Sequence, residues 1–289
     1  MHNIYVIIAT SKKRTRLLIN RALKSVYEQE KVDPKKIKII IVDDNYVGKN
    51  AGYSDEFYLI KKEINVLRKD FKLNDNEFNT VLLPNLKTKY HSGSGAWNTA
   101  IEYIKDDRKK TISYTAILDD DDEYKKNCLY ECYQKIDKDT LAVFPTIVWK
   151  DHLNERILYF KKELLTPKNF FIGNPGVQGS NMFFRSDILE KIGGFDENLH
   201  SATDRDLMIR FLFYLNSFTD SIYKHIKIID KPLVIHYADG TDRVTNDRKL
   251  KKLGLDTFYK KYKSMFSQED FIKSIERSKK LFGYEWKGR

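Results

Sequence analysis

Apolar residues run unbroken from Ile4 to Ala9 and are rich in β-branched side chains, the pattern of a strand buried on both faces. A polar stretch from Thr10 to Arg16 follows. Leu17, Leu18, Ala22, Leu23 and Val26 then recur at helical spacing, which predicts a helix to about Gln29. Ile37 to Val42 reads as a second buried strand, ending at Asp43-Asp44-Asn45. Strand, helix and strand in this order make a βαβ unit with a right-handed crossover. Farther on, the pattern predicts helices over Phe57–Phe71, Ala96–Ile104, Lys126–Ile136, Asp187–Ile192 and Asp204–Leu215. It predicts strands over Thr80–Leu83, Thr115–Leu118, Leu141–Val148, Met182–Arg185 and Leu233–His236, with a glycine-rich loop over Asn174–Gly179. From Arg248 onward the period is helical again, with Leu250, Leu253, Tyr259, Tyr262 and Phe266 on one face.

Strands alternating with helices imply an α/β fold with a mixed, mostly parallel sheet flanked by helices and closed by a C-terminal helical tail. No linker or internal repeat interrupts the pattern, so one domain is expected. In such sheets ligands bind beyond the carboxyl ends of the strands. The polar groups at those ends are Thr10, Asp43, Asp44, Asp119 to Asp122 and His236.

The composition excludes several classes. A chain of 289 residues with 41% hydrophobic and 32% charged residues can bury a core without staples. Cys128 and Cys132 lie one helical turn apart and complete no zinc pattern, so they read as core thiols in a reducing cytoplasm. The apolar N-terminal run is too short for a signal peptide, and no run is long enough to span a membrane. The net charge of +11 is unevenly placed: residues 248–289 carry 13 Lys and Arg against 5 Asp and Glu. That basic tail suits a peripheral anionic membrane contact, a nucleic acid, or simply a solvated face of helices packed on the domain.

The sharpest chemistry lies in Leu118-Asp119-Asp120-Asp121-Asp122-Glu123, where an apolar strand delivers carboxylates to one place. Packed carboxylates repel unless a cation neutralises them, and their hard oxygens suit Mg²⁺ or Mn²⁺ together with substrate phosphates. A nicotinamide dehydrogenase would need a glycine-rich first turn, but Thr10-Ser11-Lys12-Lys13-Arg14 holds no glycine. An aspartyl phosphatase would carry its pair near the N-terminus. A third class that could use this geometry transfers a sugar from a nucleotide diphosphate.

With these residues in view, the chain resembles a family 2 glycosyltransferase of the GT-A fold over about residues 4–245. The resemblance is carried by Thr10, Ser25-Val26-Tyr27-Glu28-Gln29, Val42-Asp43-Asp44 and Gly93 to Asn98. It continues through Leu118 to Glu123, Gly193-Gly194-Phe195-Asp196-Glu197 and Asp204 to Arg210. Trp97 stands where the family commonly has Arg, Thr203 where it has Glu, and the loop after Thr10 is basic. The resemblance implies a single GT-A domain over 1–247, with a nucleotide-sugar half (1–125), an acceptor half (126–247) and the tail beyond.

It also implies roles. Asp44 would bind the nucleotide base, accepting from uracil or guanine N–H groups alike. Thr10, Asn98, Asp119, Asp120 and Arg243 would contact the nucleotide sugar. Lys12, Lys13 and Arg14 are further candidates for the diphosphate. Asp121 and His236 would hold the metal. Asp204 would be the general base of an inverting transfer, although a helix N-terminus lowers an Asp pKa and would weaken it. Asn181 and Asp206 would meet the acceptor, a glycan or lipid-linked sugar. A UDP-sugar donor is favoured, with GDP- and dTDP-sugars as alternatives. The competing reading is a non-catalytic nucleotide- or glycan-binding module on the same fold.

Overall fold

The computed structural model describes residues 2–45, 53–85, 87, 92–219, 221–238 and 247–288. Among them the strands are β1 (Asn3–Thr10), β2 (Ile37–Asp43), β3 (Asn79–Pro84), β4 (Ser113–Asp119), β5 (Glu123–Tyr124), β6 (Ala142–Lys150), β7 (Glu155–Leu158), β8 (Phe183–Arg185) and β9 (Ile226–Tyr237). They form one sheet in the order β3-β2-β1-β4-β8-β6-β9-β5, with β7 paired to β6. The β1–β2, β1–β4, β2–β3 and β6–β9 pairs are parallel. The short β8 runs antiparallel between β4 and β6 and joins two parallel parts into a mixed sheet.

The helices are α1 (15–27), α2 (Asp55–Asp70), α3 (Ser94–Asp107), α4 (Cys128–Gln134), α5 (Pro167–Ile172), α6 (Ser186–Lys191), α7 (Thr203–Asn216), α8 (Arg248–Tyr262) and α9 (Gln268–Phe282). The middle of α1, Leu18–Leu23, is wound as a π-helix. Such wider turns are uncommon and collect near functional sites.

Because side chains alternate along a strand, the sheet builds a core on each face. Tyr5 and Ile7 point into one core with α3, α7 and α8. Ile4, Val6 and Ile8 point into the other with α1, α2 and α4, which includes the buried thiols Cys128 and Cys132. The two tail helices are integral to the first core. Leu255, Phe258, Tyr259, Tyr262 and Tyr284 are all buried there, while the many lysines of the tail lie on its outer side. No helix among the described residues is long and apolar enough to cross a membrane.

Candidate active site

Strand register brings the predicted polar groups together. Thr10 at the end of β1 stands opposite Asp43 of β2, and Ala9 stands opposite Asp119 of β4. Beyond Asp119 the chain turns tightly, Asp122 N–H donating to the Asp119 carbonyl at 3.1 Å. It then runs into β5, where Glu123 pairs with Ile235 of β9. The turn therefore sits between β1 and the end of β9, and its four carboxylates go different ways.

Asp119, Asp121 and Asp122 each offer an oxygen, and these oxygens lie within 4.8 Å of one another. A set of three hard oxygens on one turn fits Mg²⁺ or Mn²⁺. Burial and the neighbouring Asp122, Asp121, Asp204 and Asp120 push Asp119 well above the usual carboxylate range, the repulsion that a cation would relieve. Asp122 is fully buried. Its Oδ2 accepts from Ser180 Oγ at 2.6 Å and meets His236 Nδ1 at 2.9 Å, and its Oδ1 accepts from Tyr237 N–H at 3.1 Å. His236 lies outside the three-carboxylate group and orients one member of it, a common arrangement behind metal ligands.

Asp120 points away from that group. It is buried, accepts from Thr10 Oγ1 at 2.7 Å, and is gripped by Arg14 through Nε at 2.8 Å and Nη2 at 2.5 Å. The same Nη2 reaches Asp121 Oδ2 at 2.8 Å. Arg21, in the π-helical stretch, donates to the Asp121 carbonyl at 3.2 Å and lies 3.9 Å over the Tyr237 ring.

Asp204 reaches the cluster from the first turn of α7. Gly179 links the two: its N–H donates to Asp204, and a Cβ there would come within 3.2 Å of Asp119 Oδ1. Burial raises the Asp204 pKa to about 6, against the opposing pull of Lys251, His236 and the Gly179 N–H. The weakening expected at a helix N-terminus is therefore outweighed by desolvation. Lys251 of α8 is itself lowered to about 8 by burial and by the charge of Arg205, while Asp204 opposes the shift.

On the nucleotide side, Asp44 is buried at the end of β2, its N–H bonded to the Thr10 carbonyl at 2.8 Å. Asn85 Nδ2 holds Asp44 Oδ1 at 2.5 Å, and Asp43 accepts from Ser54 Oγ at 2.8 Å.

Three predicted residues lie elsewhere. Asn98 is occupied with the Gly193–Glu197 turn, donating to the Phe195 carbonyl at 2.8 Å and accepting from Phe195 N–H at 2.8 Å. Asn181 is buried under the glycine-rich loop, donating to the Pro145 and Gly176 carbonyls at 2.9 and 3.1 Å. Its neighbour Ser180 is the one that faces the carboxylates. Asp206 is fully buried between helices, bonded to Arg210, to Lys261 at 2.5 Å and to Tyr262 Oη at 2.7 Å. Arg243, with Thr241 and Thr245 beside it, lies outside the described residues.

Sequence reasoning missed Ser180, Asn85 and Lys251. Ser180 directly follows the glycine-rich loop, where the sequence points to Asn181 instead. Lys251 carried no local signal, because only the packing of the tail brings it to Asp204.

Residues 86–193 match the family described as Glycosyl transferase family 2. None of the curated proteins matches the chain. Among solved structures, S. aureus TarS 1–349 in complex with UDP-GlcNAc superposes with a TM-score of 0.59 at 13% identity, covering 97% of this chain and 81% of that one. Mannosyltransferase PcManGT from Pyrobaculum calidifontis, in complex with GDP-Man and Mn²⁺, gives a TM-score of 0.56 at 17% identity, covering 93% and 66%. The chain is thus similar to family 2 glycosyltransferases over residues 86–193, the stretch that holds the acidic turn, and it shares the GT-A fold with these structures over nearly its whole length.

Proposed function

We propose that the protein transfers a sugar from a nucleotide-diphosphate donor to an acceptor hydroxyl with inversion, and that it needs Mg²⁺ or Mn²⁺ to do so. The observation that carries this is the position of Gly179, whose N–H donates to Asp204 of α7 and where even a Cβ would come within 3.2 Å of Asp119 Oδ1 in the acidic turn. It sets a candidate metal site and a candidate base on either side of one small residue. The nucleotide sugars held by the two similar structures support a donor of this class, with UDP-sugars favoured and GDP- or dTDP-sugars as alternatives.

Asp44, braced by Asn85, would accept N–H groups of the base, and Asp119 would face the ribose and sugar. Asp121, with Asp119 and Asp122, would hold the cation, which when bound offsets charge building on the departing diphosphate. Asp204 would take the proton of the acceptor hydroxyl as that oxygen bonds the anomeric carbon and the diphosphate leaves from the opposite face. A base with a pKa near 6 stays ionised at neutral pH while binding a proton more firmly than an ordinary Asp. The acceptor would be a glycan or lipid-linked sugar reaching Asp204 past the glycine-rich loop.

The test is donor turnover with UDP-, GDP- and dTDP-sugars in Mn²⁺, and again after chelation. Release of the nucleoside diphosphate should depend on metal, and Asp121→Asn should lower it by about 100-fold or more. Tight donor binding with no release in any metal would favour the binding-module reading.

A further inference from the structure

Arg14 is the one Lys or Arg among the described residues that pairs with the carboxylates of the acidic turn. The basic loop that carries it departs from the family pattern, and its candidacy for the diphosphate does not explain why it sits on two aspartates. One edge of its guanidinium both pins Asp120 and touches Asp121. Nε and Nη2 hold Asp120 at 2.8 and 2.5 Å, and Nη2 also holds Asp121 at 2.8 Å. Asp120 in turn accepts from Thr10, so the anchor is tied to the end of β1. The Arg14 side chain keeps 16% of its surface open and Asp121 keeps 13%, whereas Asp120 keeps only 6%. The pair with Asp120 is thus the buried one, and the contact with Asp121 faces the cleft. Arg14 Nη1 makes no hydrogen bond among the described residues, so the fork still has donors to offer. A guanidinium matches a phosphate with two parallel bonds.

We propose that Arg14 makes cation binding conditional on the donor. In the free protein it occupies Asp121 as a resident counter-ion. When a nucleoside diphosphate arrives, a phosphate oxygen takes the free Nη1 and the Nη2 hydrogen that Asp121 shares, the bonds to Asp120 stay, and Asp121 is released to the metal. Arg14 is then a positioning residue for both the diphosphate and the metal site. The inference rests on the metal-dependent reading above, and it adds an order to it: cation and nucleotide bind together, and the cation alone binds poorly.

Binding of Mn²⁺ to the full chain, followed by the spin-resonance signal of the free ion, tests this without any turnover. The wild type should bind Mn²⁺ weakly alone and roughly tenfold more tightly with UDP or GDP present, a coupling in the usual range for linked sites. Removing Arg14 by itself would strand buried Asp120, so the informative variant is Arg14→Gln combined with Asp120→Asn, in which two amides can pair. It should bind Mn²⁺ alone roughly tenfold more tightly than wild type, with most of the nucleotide coupling gone. Arg14→Lys keeps a charge for Asp120 but shortens the reach to Asp121, and should move in the same direction. Equal or weaker Mn²⁺ binding by these variants, or wild-type binding that ignores the nucleotide, overturns the role of Arg14 and leaves the metal-dependent reading standing. Absence of Mn²⁺ binding under every condition removes both.

Discussion

Asp204 is held in an environment that disfavours its own charge, and this has a measurable signature. Its carboxyl has a pKa of about 6 in the folded protein against 3.8 in an unfolded chain. Below about pH 3 the group is neutral in both states and contributes nothing. As pH rises from about 3 to about 6, the unfolded chain releases its proton before the folded one, so the wild type loses stability. Above about pH 6 the full cost is present. Asp204→Asn keeps a partner for the Gly179 N–H and carries no charge. In chelator, its stability should equal wild type near pH 3 and exceed it by about 3 kcal/mol at pH 8. A gain that is the same at both pH values would show that desolvation of the carboxylate is not its source. Ser180 works in the opposite sense. Its hydroxyl donates to Asp122 and accepts from Asp119 N–H at 3.1 Å. Ser180→Ala leaves both groups short of a partner and should lower stability by about 1–3 kcal/mol, read by urea titration. The contrast between Asp204 and Asp206 shows how far residues can be read locally. Both are acids in the first turn of one helix. One faces Gly179, and the other is enclosed by Lys261 and Tyr262 from a helix more than fifty residues later. No local pattern separates them, because the partners that decide their roles are distant in the chain.

The elements themselves were largely legible, for a physical reason. Strands buried on both faces need continuous apolar runs, and β1, β2 and β4 lie where Ile4–Ala9, Ile37–Val42 and Thr115–Leu118 mark them. The edge strand β7 was missed because only its pairing to β6 makes it a strand, and three of its four residues are exposed. The strand β9 was read only from Leu233, because Asp230-Lys231-Pro232 interrupts its apolar pattern, and its pairing with β6 shifts register at that point. The seating of α8 was equally hidden. Its Gly254 lies against Ser201, and a Cβ there would fall on the Ser201 hydroxyl and backbone N, with Ser201 Cα 2.9 Å away. That close approach fixes the helix, and Lys251 with it, beside the turn that opens α7. Gly254→Ala should therefore destabilise the fold by about 2–3 kcal/mol, as overpacked sites do. It should also slow transfer more than it weakens donor binding, since it displaces the Asp204 side of the site and leaves Asp44 alone. Equal stability of variant and wild type in denaturant titration would mean that α8 is not seated this tightly.

At the scale of the whole molecule, the basic excess divides between an outer surface and a buried role. The tail carries much of the charge, yet it also contributes five large buried side chains to the core that holds α7. Each such side chain contributes about 1.5–3 kcal/mol, so their sum is comparable with the 5–15 kcal/mol stability of an ordinary domain. A chain stopped after Asp247 should fail to fold cooperatively, read as loss of the near-ultraviolet dichroism and of a thermal transition. Cooperative melting of that fragment would show instead that the tail is an appendage. Tyr284 adds a consequence for synthesis. It stacks on Tyr259 and bonds Asp256 at 2.6 Å, and α8 in turn closes over Asp206 through Lys261 and Tyr262. During translation residues 1–125 emerge first and contain their own parallel strands, whereas α7 waits for partners made among the last residues described. A nascent chain therefore passes through a stage with its first strands assembled and the core around α7 open, and it is over this interval that a chaperone would have the most apolar surface to cover.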